Sequence, residues 1–133
     1  MKRRIVFAIT IVLSAWGAPT TNSAEPRDQL RNFMRMKLKH SQEAIEGLVL
    51  EDFEKVATSA QELSLLSLAE TWQVLDTPEY VDYSRKFRLS ADALTEAAKK
   101  TNLDQATTAF NQVTTQCVNC HKYVRGVRTA SVK

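Results

Sequence analysis

The sequence contains little glycine and little proline, the residues that most often punctuate secondary structure. Three of its 133 residues are glycine and three are proline, and beyond residue 24 only Gly47, Gly126, Pro26 and Pro78 remain. The strict alternation of apolar and polar residues that marks a half-buried strand is also missing. The chain beyond residue 24 is therefore expected to be helical throughout.

Long hydrophobic runs are lacking except at the start of the chain. Lys2 to Arg4 are basic, Ile5 to Trp16 form an apolar run of 12 residues, and small residues precede Ala24. This layout is typical of a secretory signal peptide, and the run is shorter than the about 20 apolar residues that span a bilayer. We expect residues 1–24 to be a cleaved signal, with cleavage after Gly17 and a retained anchor as alternatives, and residues 25–133 to be one exported domain without stable membrane insertion.

An excess of charge of one sign is lacking as well. The full chain has 18 Lys plus Arg and 15 Asp plus Glu, and the expected signal removes three basic residues and no acidic ones, which leaves 15 of each. Nucleic acids and anionic membranes bind proteins largely through basic excess. Neither is expected as a partner.

Apolar residues recur with the helical period in four segments. The expected bounds are Pro26 to Gly47, Asp52 to about Leu75, Pro78 to Thr101, and Asn102 onward. Thr77 can cap the third helix, and Asn102 or Thr101 the fourth. The inward stripe of the first helix is expected to contain Leu30, Met34, Ser41, Ile45 and Leu48. Four amphipathic helices with short connections predict an all-α fold, an antiparallel up-down-up-down four-helix bundle.

Only two cysteines are present, and His121 follows the second directly in the stretch TTQCVNCHKYVR. Cys117 and Cys120 continue the apolar stripe of the fourth helix, so the motif is expected to face the core. C-x-x-C-H is the pattern for covalent attachment of a c-type haem. Two sulfurs on one helical face suit two thioether bonds, and His121 can then bind the iron.

Other interpretations of this motif are less favoured. A disulfide between Cys117 and Cys120 would close too short a loop to stabilise the chain. A thioredoxin-like redox pair is expected in a strand-helix-strand context. A zinc site with His40 as fourth ligand needs Cys120 and His121 to converge, although they point about 100° apart on a helix. Ordinary buried free cysteines are a further alternative.

With these residues the chain resembles class II c-type cytochromes, the cytochrome c prime family and its low-spin methionine-ligated relatives. The resemblance covers about residues 26–128 and is most specific in NLDQATTAFNQVTTQCVNCHKYVR. The matching residues there are Asp104, Phe110, Val113, Cys117, Cys120, His121 and Arg125. The resemblance implies one covalent haem c and, in many members, a homodimer through the first two helices. It also implies that Arg125 lies near the proximal pocket and binds a haem propionate, with a solvated charge as the alternative.

The first helix departs from the family pattern, in which an arginine precedes a leucine or methionine by four residues. Here Arg27 precedes Arg31, and Arg31 precedes Arg35, at that spacing. The far side of the haem must therefore be argued from the helix face.

Met34 lies inside the apolar stripe of the first helix and is the expected sixth iron ligand. Met36 is expected to be exposed. Alternatives are a five-coordinate iron under Leu30 or Leu38, or ligation by His40. Lys37 lies unusually in the middle of the stripe, where its ammonium can reach a propionate, solvent or the iron. Two more residues, Trp72 and Phe110, are expected to pack against the ring or else only in the core.

The combined expectation is a periplasmic monohaem protein that carries one electron between redox partner proteins. The alternative is a module that binds a small gas, nitric oxide or carbon monoxide, at an open iron position. A peroxidase would need a polar acid-base group beside the iron. Only His40 is available, on an unfavourable face, so no enzyme activity is expected.

Overall fold

The computed structural model describes residues 26–68 and 75–130, and these form four α-helices. Their bounds are α1 Pro26–Leu50, α2 Phe53–Leu66, α3 Pro78–Lys99 and α4 Leu103–Ala130. Each helix packs along the one that follows it, and of the helix pairs that pack together α1 and α4 have the least contact. The predicted antiparallel up-down-up-down four-helix bundle is confirmed. The expected signal peptide and Trp72 lie outside the described residues.

The reversal between α1 and α2 is made by a short hydrogen-bonded turn. Glu51 adopts a left-handed conformation with φ 55°. The N–H of Glu51 donates to the carbonyl of Leu48 at 3.3 Å, and the N–H of Asp52 donates to that of Gly47 at 2.8 Å. This pair of bonds is the Schellman motif, which satisfies the last carbonyls of a helix. The chain therefore reverses direction within two residues.

The reversal between α3 and α4 repeats this arrangement. Thr101 has φ 49°, its N–H donates to the carbonyl of Ala98 at 2.8 Å, and that of Asn102 donates to the carbonyl of Ala97 at 3.1 Å. Asn102 then caps α4, because its Oδ1 accepts from the N–H of Gln105 at 3.0 Å. Each closing turn thus starts the next helix, which holds neighbouring helices antiparallel.

The other predicted helix starts are also present. Asp52 Oδ1 accepts from the N–H of Lys55 at 3.0 Å at the start of α2. Thr77 Oγ1 accepts from the N–H of Tyr80 at 3.3 Å at the start of α3, and Pro78 occupies the first turn. Side-chain caps of this kind satisfy backbone donors that the helix leaves open.

Two predicted helix ends were wrong. Gly47 does not end α1 but lies buried inside it, where a Cβ atom would meet Val56 Cγ2 at 2.8 Å and the carbonyl of Asp52 at 3.0 Å. The glycine is needed for the close approach of α2, not for a turn. The second helix ends at Leu66 instead of Leu75, since the N–H of Ser67 closes a tighter turn onto Ser64 at 3.0 Å.

The buried apolar residues form two clusters. The larger one runs along the bundle and contains Ala44, Leu48, Val56, Ala60, Leu63, Phe87, Ala91, Leu94, Ala97, Ala98, Ala106, Ala109 and Val113. The smaller one centres on Tyr80 and Cys120, and Phe33, Met34, Leu75, Tyr83, Tyr123 and Val124 pack against it. Cys117 packs against the larger cluster and Cys120 belongs to the smaller one, so the cysteine motif lies where the two clusters meet on α4.

The predicted inward stripe of α1 needs one correction. Ile45 is 47 % exposed, whereas Ala44 and Leu48 are buried and Lys37 is only 8 % exposed. The buried face is centred between Lys37 and Ala44, so Ile45 lies beyond its edge. Among residues 26–68 and 75–130, no helix is both long and apolar enough to cross a bilayer.

Candidate functional site

A cavity of about 380 Å³ opens between α1, α3 and α4, where the bundle is least tightly closed. It is lined by Arg31, Met34, Arg35, Lys37, Leu38, Ser41, Tyr83, Phe87, Gln116, Cys117, Cys120 and His121. Its volume lies within the range of about 300–1,000 Å³ found for small-molecule and cofactor sites. The lining is mostly apolar with a few polar groups, as such sites require.

The α4 wall of the cavity carries the whole cysteine motif. Cys120 is 8 % exposed, Cys117 is half-buried, and both thiols are free. Burial raises the pKa of both thiols, and the nearby charge of Lys37 opposes that rise. His121 is exposed but still lines the cavity. The two sulfurs thus lie inside the wall, and the imidazole lies at its solvent side.

The α1 wall presents Met34 and Leu38. Met34 is partly buried and packs against the cluster that contains Cys120, while Leu38 is 59 % exposed. Met36 is 41 % exposed and does not line the cavity, as expected. Leu30, considered as a residue over the iron, does not line it either.

Lys37 is the buried charged residue of this wall. Its Nζ lies 3.8 Å from the centroid of the Phe87 ring, a cation–π contact. Desolvation lowers the pKa of Lys37 to about 8, and the neighbouring Cys117 and Cys120 act in the opposite direction. The amine therefore lies against the aromatic ring of α3 and close enough to the cysteines of α4 for its charge to act on them.

Two arginines of α1 complete the cavity wall at its exposed side. Arg31 and Arg35 are both exposed and line the cavity, and Arg31 pairs with Asp28 at 3.2 Å. Guanidinium groups bind carboxylates in a bidentate geometry. The sequence interpretation did not assign these residues a role, although their spacing of four places both on one helical face. Arg125, by contrast, is exposed and does not line the cavity.

The aromatic lining comes from α3. Tyr83 and Phe87 line the cavity, and Tyr83 contacts Tyr123 with ring centroids 5.4 Å apart. The hydroxyl of Tyr123 hydrogen-bonds Thr77 Oγ1 at 2.8 Å, which ties α4 to the start of α3. Phe110, expected at the ring, packs against the larger core cluster instead. Tyr83 and Phe87 were recognised in the sequence as inward residues, but their contact with the site depends on how α3 packs.

The zinc alternative finds no support in the described part of the chain. His40 Nδ1 hydrogen-bonds Glu43 Oε2 at 2.9 Å and does not line the cavity. Over residues 26–68 and 75–130, no three His, Cys, Asp or Glu side chains are placed to hold a metal ion. The cysteine motif therefore lacks a partner for a closed tetrahedral site.

The donor set fits a covalently bound haem. Two thiols one turn apart lie inside an aromatic and aliphatic cavity, an imidazole and a thioether line the same space, and guanidinium groups lie at its exposed side. Thiols can form thioether bonds, imidazole and thioether sulfur can bind iron, and guanidinium groups can bind propionates.

Comparisons with known proteins agree with this arrangement. The model of the family described as cytochrome C' matches residues 28–125. Two similar solved structures are nitric oxide complexes of two point mutants of cytochrome c prime from Alcaligenes xylosoxidans. Each is 18 % identical with a TM-score of 0.54, over 74 % of this chain and 94 % of that chain. That likeness supports the fold alone. A comparison with curated proteins finds no match.

Proposed function

The chain belongs to the cytochrome c prime family of class II c-type cytochromes, and we propose that it acts as an exported carrier of single electrons. Proteins of this family carry one covalent haem c. The observation that supports a carrier is that Met34 lines the same cavity as Cys117, Cys120 and His121. A methionine available to the iron favours electron transfer over ligand binding.

The residues of α4 would hold the haem. Cys117 and Cys120 would form the two thioether bonds, and His121 would bind the iron. Haem supplies the one-electron chemistry when bound. The attachment predicts that Cys117→Ala keeps the haem through one bond, whereas Cys117→Ala with Cys120→Ala releases it on denaturation. A mass spectrum of the denatured double variant that still contained haem would rule out covalent attachment.

The residues of α1 and α3 would set the surroundings of the iron. Met34 would bind the iron from α1, and Phe87 and Tyr83 would exclude water from the ring. Arg31 and Arg35, exposed along the cavity, would bind the propionates, a role that the family resemblance had suggested for Arg125. An edge of the ring beside these exposed arginines would be reachable by a redox partner protein.

The role of Met34 can be tested against a methionine on the same helix. In Met34→Ala the reduced protein is expected to change from low spin to high spin, because the iron loses a strong ligand. Met36→Ala removes an exposed methionine outside the cavity and is expected to leave the spectrum unchanged. Optical and magnetic circular dichroism spectra measure both. A low-spin Met34→Ala protein would show that another residue occupies the sixth coordination position of the iron.

Gas binding is the second candidate. It is favoured by Leu38, an aliphatic residue of the same α1 wall, and by the nitric oxide bound in the two similar structures. In this case Met34 would pack without binding iron, and nitric oxide or carbon monoxide would enter beside Leu38. The wild type would then be high spin when reduced.

Export is proposed from residues 1–24, whose basic start and apolar run resemble a signal peptide. Family members are typically periplasmic. The mature protein is expected to begin at Glu25 and to be recovered from the periplasm. Its intact mass, with haem added, measures the cleavage site, and a mass that retains residues 1–24 would indicate an anchor.

Pairing through the first two helices is proposed as well. Exposed apolar residues of α1, of α2 and of the turn that follows α2 support it, namely Ile45, Val49, Leu50, Leu65 and Leu68. Exposed apolar side chains are frequent at sites of protein association. Sedimentation equilibrium of the holoprotein should give twice the protomer mass, and a monomer at high concentration would exclude the homodimer.

A further inference from the structure

The cavity wall is mostly apolar, and the charged residues that line it are all basic. Lys37, Arg31 and Arg35 line it, and no aspartate or glutamate does so among the described residues. A low-dielectric wall strengthens the field of such charges. The charge that the lining residues present to a bound ligand is therefore positive.

The three cations occupy different positions in the cavity. Arg31 and Arg35 are exposed, whereas Lys37 is 8 % exposed and lies against Phe87. The charge of Lys37 acts on both Cys117 and Cys120. In haem c the thioether bonds and the propionates are on opposite edges of the porphyrin. The arginines are thus suited to the propionates, and Lys37 lies on the thioether side.

We propose that Lys37 makes this cavity a binding site for a small inorganic anion, of the class of azide or nitrite, held on the α1 side of the iron. The inference rests on haem attachment at Cys117 and Cys120 with His121 on the iron. It does not depend on Met34 being a ligand.

The chemistry of Lys37 suits this role. An ammonium has three N–H donors, and the contact of Lys37 Nζ with the Phe87 ring, 3.8 Å from the ring centroid, places this ammonium in the cavity wall. With its pKa lowered to about 8, the amine is mostly charged at neutral pH. A hydrogen bond from a charged donor to an anion is stronger than one between neutral groups. A neutral ligand such as carbon monoxide gains far less from the same donor.

The experiment compares anion and neutral ligand in matched variants. Azide is titrated into ferric holoprotein, and carbon monoxide into the reduced form, with binding followed by absorption. Both titrations are done in wild type and in Met34→Ala, which frees the iron if Met34 binds it. In each background the comparison is among Lys37→Met, Lys37→Arg and Lys39→Met. Lys39 is an exposed residue of α1 that pairs with Glu43 at 2.9 Å and serves as control.

Lys37→Met is expected to weaken azide binding at least about tenfold, the loss typical of a charged hydrogen bond. Lys37→Arg should retain most of the affinity, Lys39→Met should retain all of it, and carbon monoxide affinity should change less than about threefold in every variant. Equal azide affinity with and without Lys37 would overturn the proposal. A parallel loss of azide and carbon monoxide would also overturn it, because the cavity rather than the charge would then be responsible.

A second variant and the comparison of wild type with Met34→Ala separate a failure of the anion site from a failure to fold and from a failure of the carrier assignment. If Lys37→Met does not fold, or if its spectrum without added ligand shows that the new thioether binds the iron, Lys37→Gln removes the charge with a polar side chain and is held to the same criterion. If wild type binds azide as readily as Met34→Ala does, the carrier assignment fails. The Lys37 comparison still decides the anion site in that case.

Discussion

Among the described residues, Lys37 is a charged side chain that the fold buries. It belongs by helical angle to the buried face of α1, and the structure leaves it 8 % exposed against Phe87. Removing an ammonium from water is unfavourable, and a cation–π contact offsets only part of that loss. This unfavourable burial lies at the cavity, because Lys37 lines it.

The burial of Lys37 predicts a pH dependence of stability. Its pKa falls from 10.5 in the unfolded chain to about 8 in the fold because of desolvation. Below pH 8 both states keep the proton and the full penalty applies. Between pH 8 and 10.5 the folded state loses a proton that the unfolded state retains, so folding stability from this group rises with pH.

Lys37→Met should therefore be more stable than wild type at pH 7, and the difference should shrink as the pH rises from 8 to 10.5. Urea unfolding of the two holoproteins at a series of pH values measures it. The other titratable side chains that line the cavity are shared by both proteins, namely Arg31, Arg35, Tyr83 and His121, while Cys117 and Cys120 would be thioethers that do not titrate. A difference that stays constant with pH would mean that Lys37 keeps its ordinary pKa.

Residues adjacent in sequence were the easiest to assign to the site. Cys117, Cys120 and His121 form one continuous motif, and the helical angle correctly separated Met34 from Met36. Residues that reach the cavity only through packing were harder to assign. The helical pattern predicts Tyr83 and Phe87 only as ordinary core residues of α3. Gln116 and Arg35 are polar residues whose proximity to the site depends on how α1 and α4 rotate against each other.

At the scale of the elements, the turns between helices could be predicted only in part from the sequence. The caps at Thr77 and Asn102 follow from the sequence, because short polar side chains before an apolar pattern favour a helix start. Glu51 and Thr101 are left-handed, but such residues rarely adopt positive φ, so the sequence gives no warning. Gly47 was interpreted as a helix end because glycine is the residue that most often takes the left-handed conformation there. In the structure it instead allows the close contact between α1 and α2.

The two glycines beyond the expected signal predict opposite effects of alanine. Gly126→Ala should raise the free energy of unfolding by about 0.5–1 kcal/mol, because a Cβ meets nothing within 4 Å and alanine favours a helix. Gly47→Ala should lower it by about 1 kcal/mol or more, because its Cβ would meet the Asp52 carbonyl at 3.0 Å and Val56 at 2.8 Å.

Urea denaturation of both variants beside wild type measures these changes, and helix propensity alone would stabilise both proteins. Equal stabilisation by the two alanines would show that α1 and α2 can move apart without lowering the free energy of unfolding. The close approach at Gly47 would then be unnecessary for the bundle.

At the scale of the whole molecule, the site exists because the bundle is unevenly closed. α1 packs on α2, α2 on α3, and α3 on α4, while the fourth pair of neighbours, α1 and α4, is in contact over a much smaller area. The cavity occupies that opening and takes one wall from each of α1, α3 and α4. The four-helix arrangement could be predicted from period, caps and loop length. The opening could not, since it depends on interhelical distances that a periodic pattern does not contain.

The division of function also appears at this scale. α4 supplies the residues that would hold the haem, and α1 supplies those that would decide what the haem does. Met34, Leu38 and Lys37 lie within two turns of α1 and favour, respectively, electron transfer, gas binding and anion binding. The chemistry of the protein therefore depends on which of these side chains controls the iron.

The most direct test of the carrier assignment is the absorption spectrum of the reduced wild-type holoprotein before and after addition of carbon monoxide. With Met34 on the iron, the reduced spectrum should be low spin and carbon monoxide should leave it unchanged. A high-spin reduced spectrum that converts readily to a carbon monoxide complex would contradict the carrier and establish an open iron position.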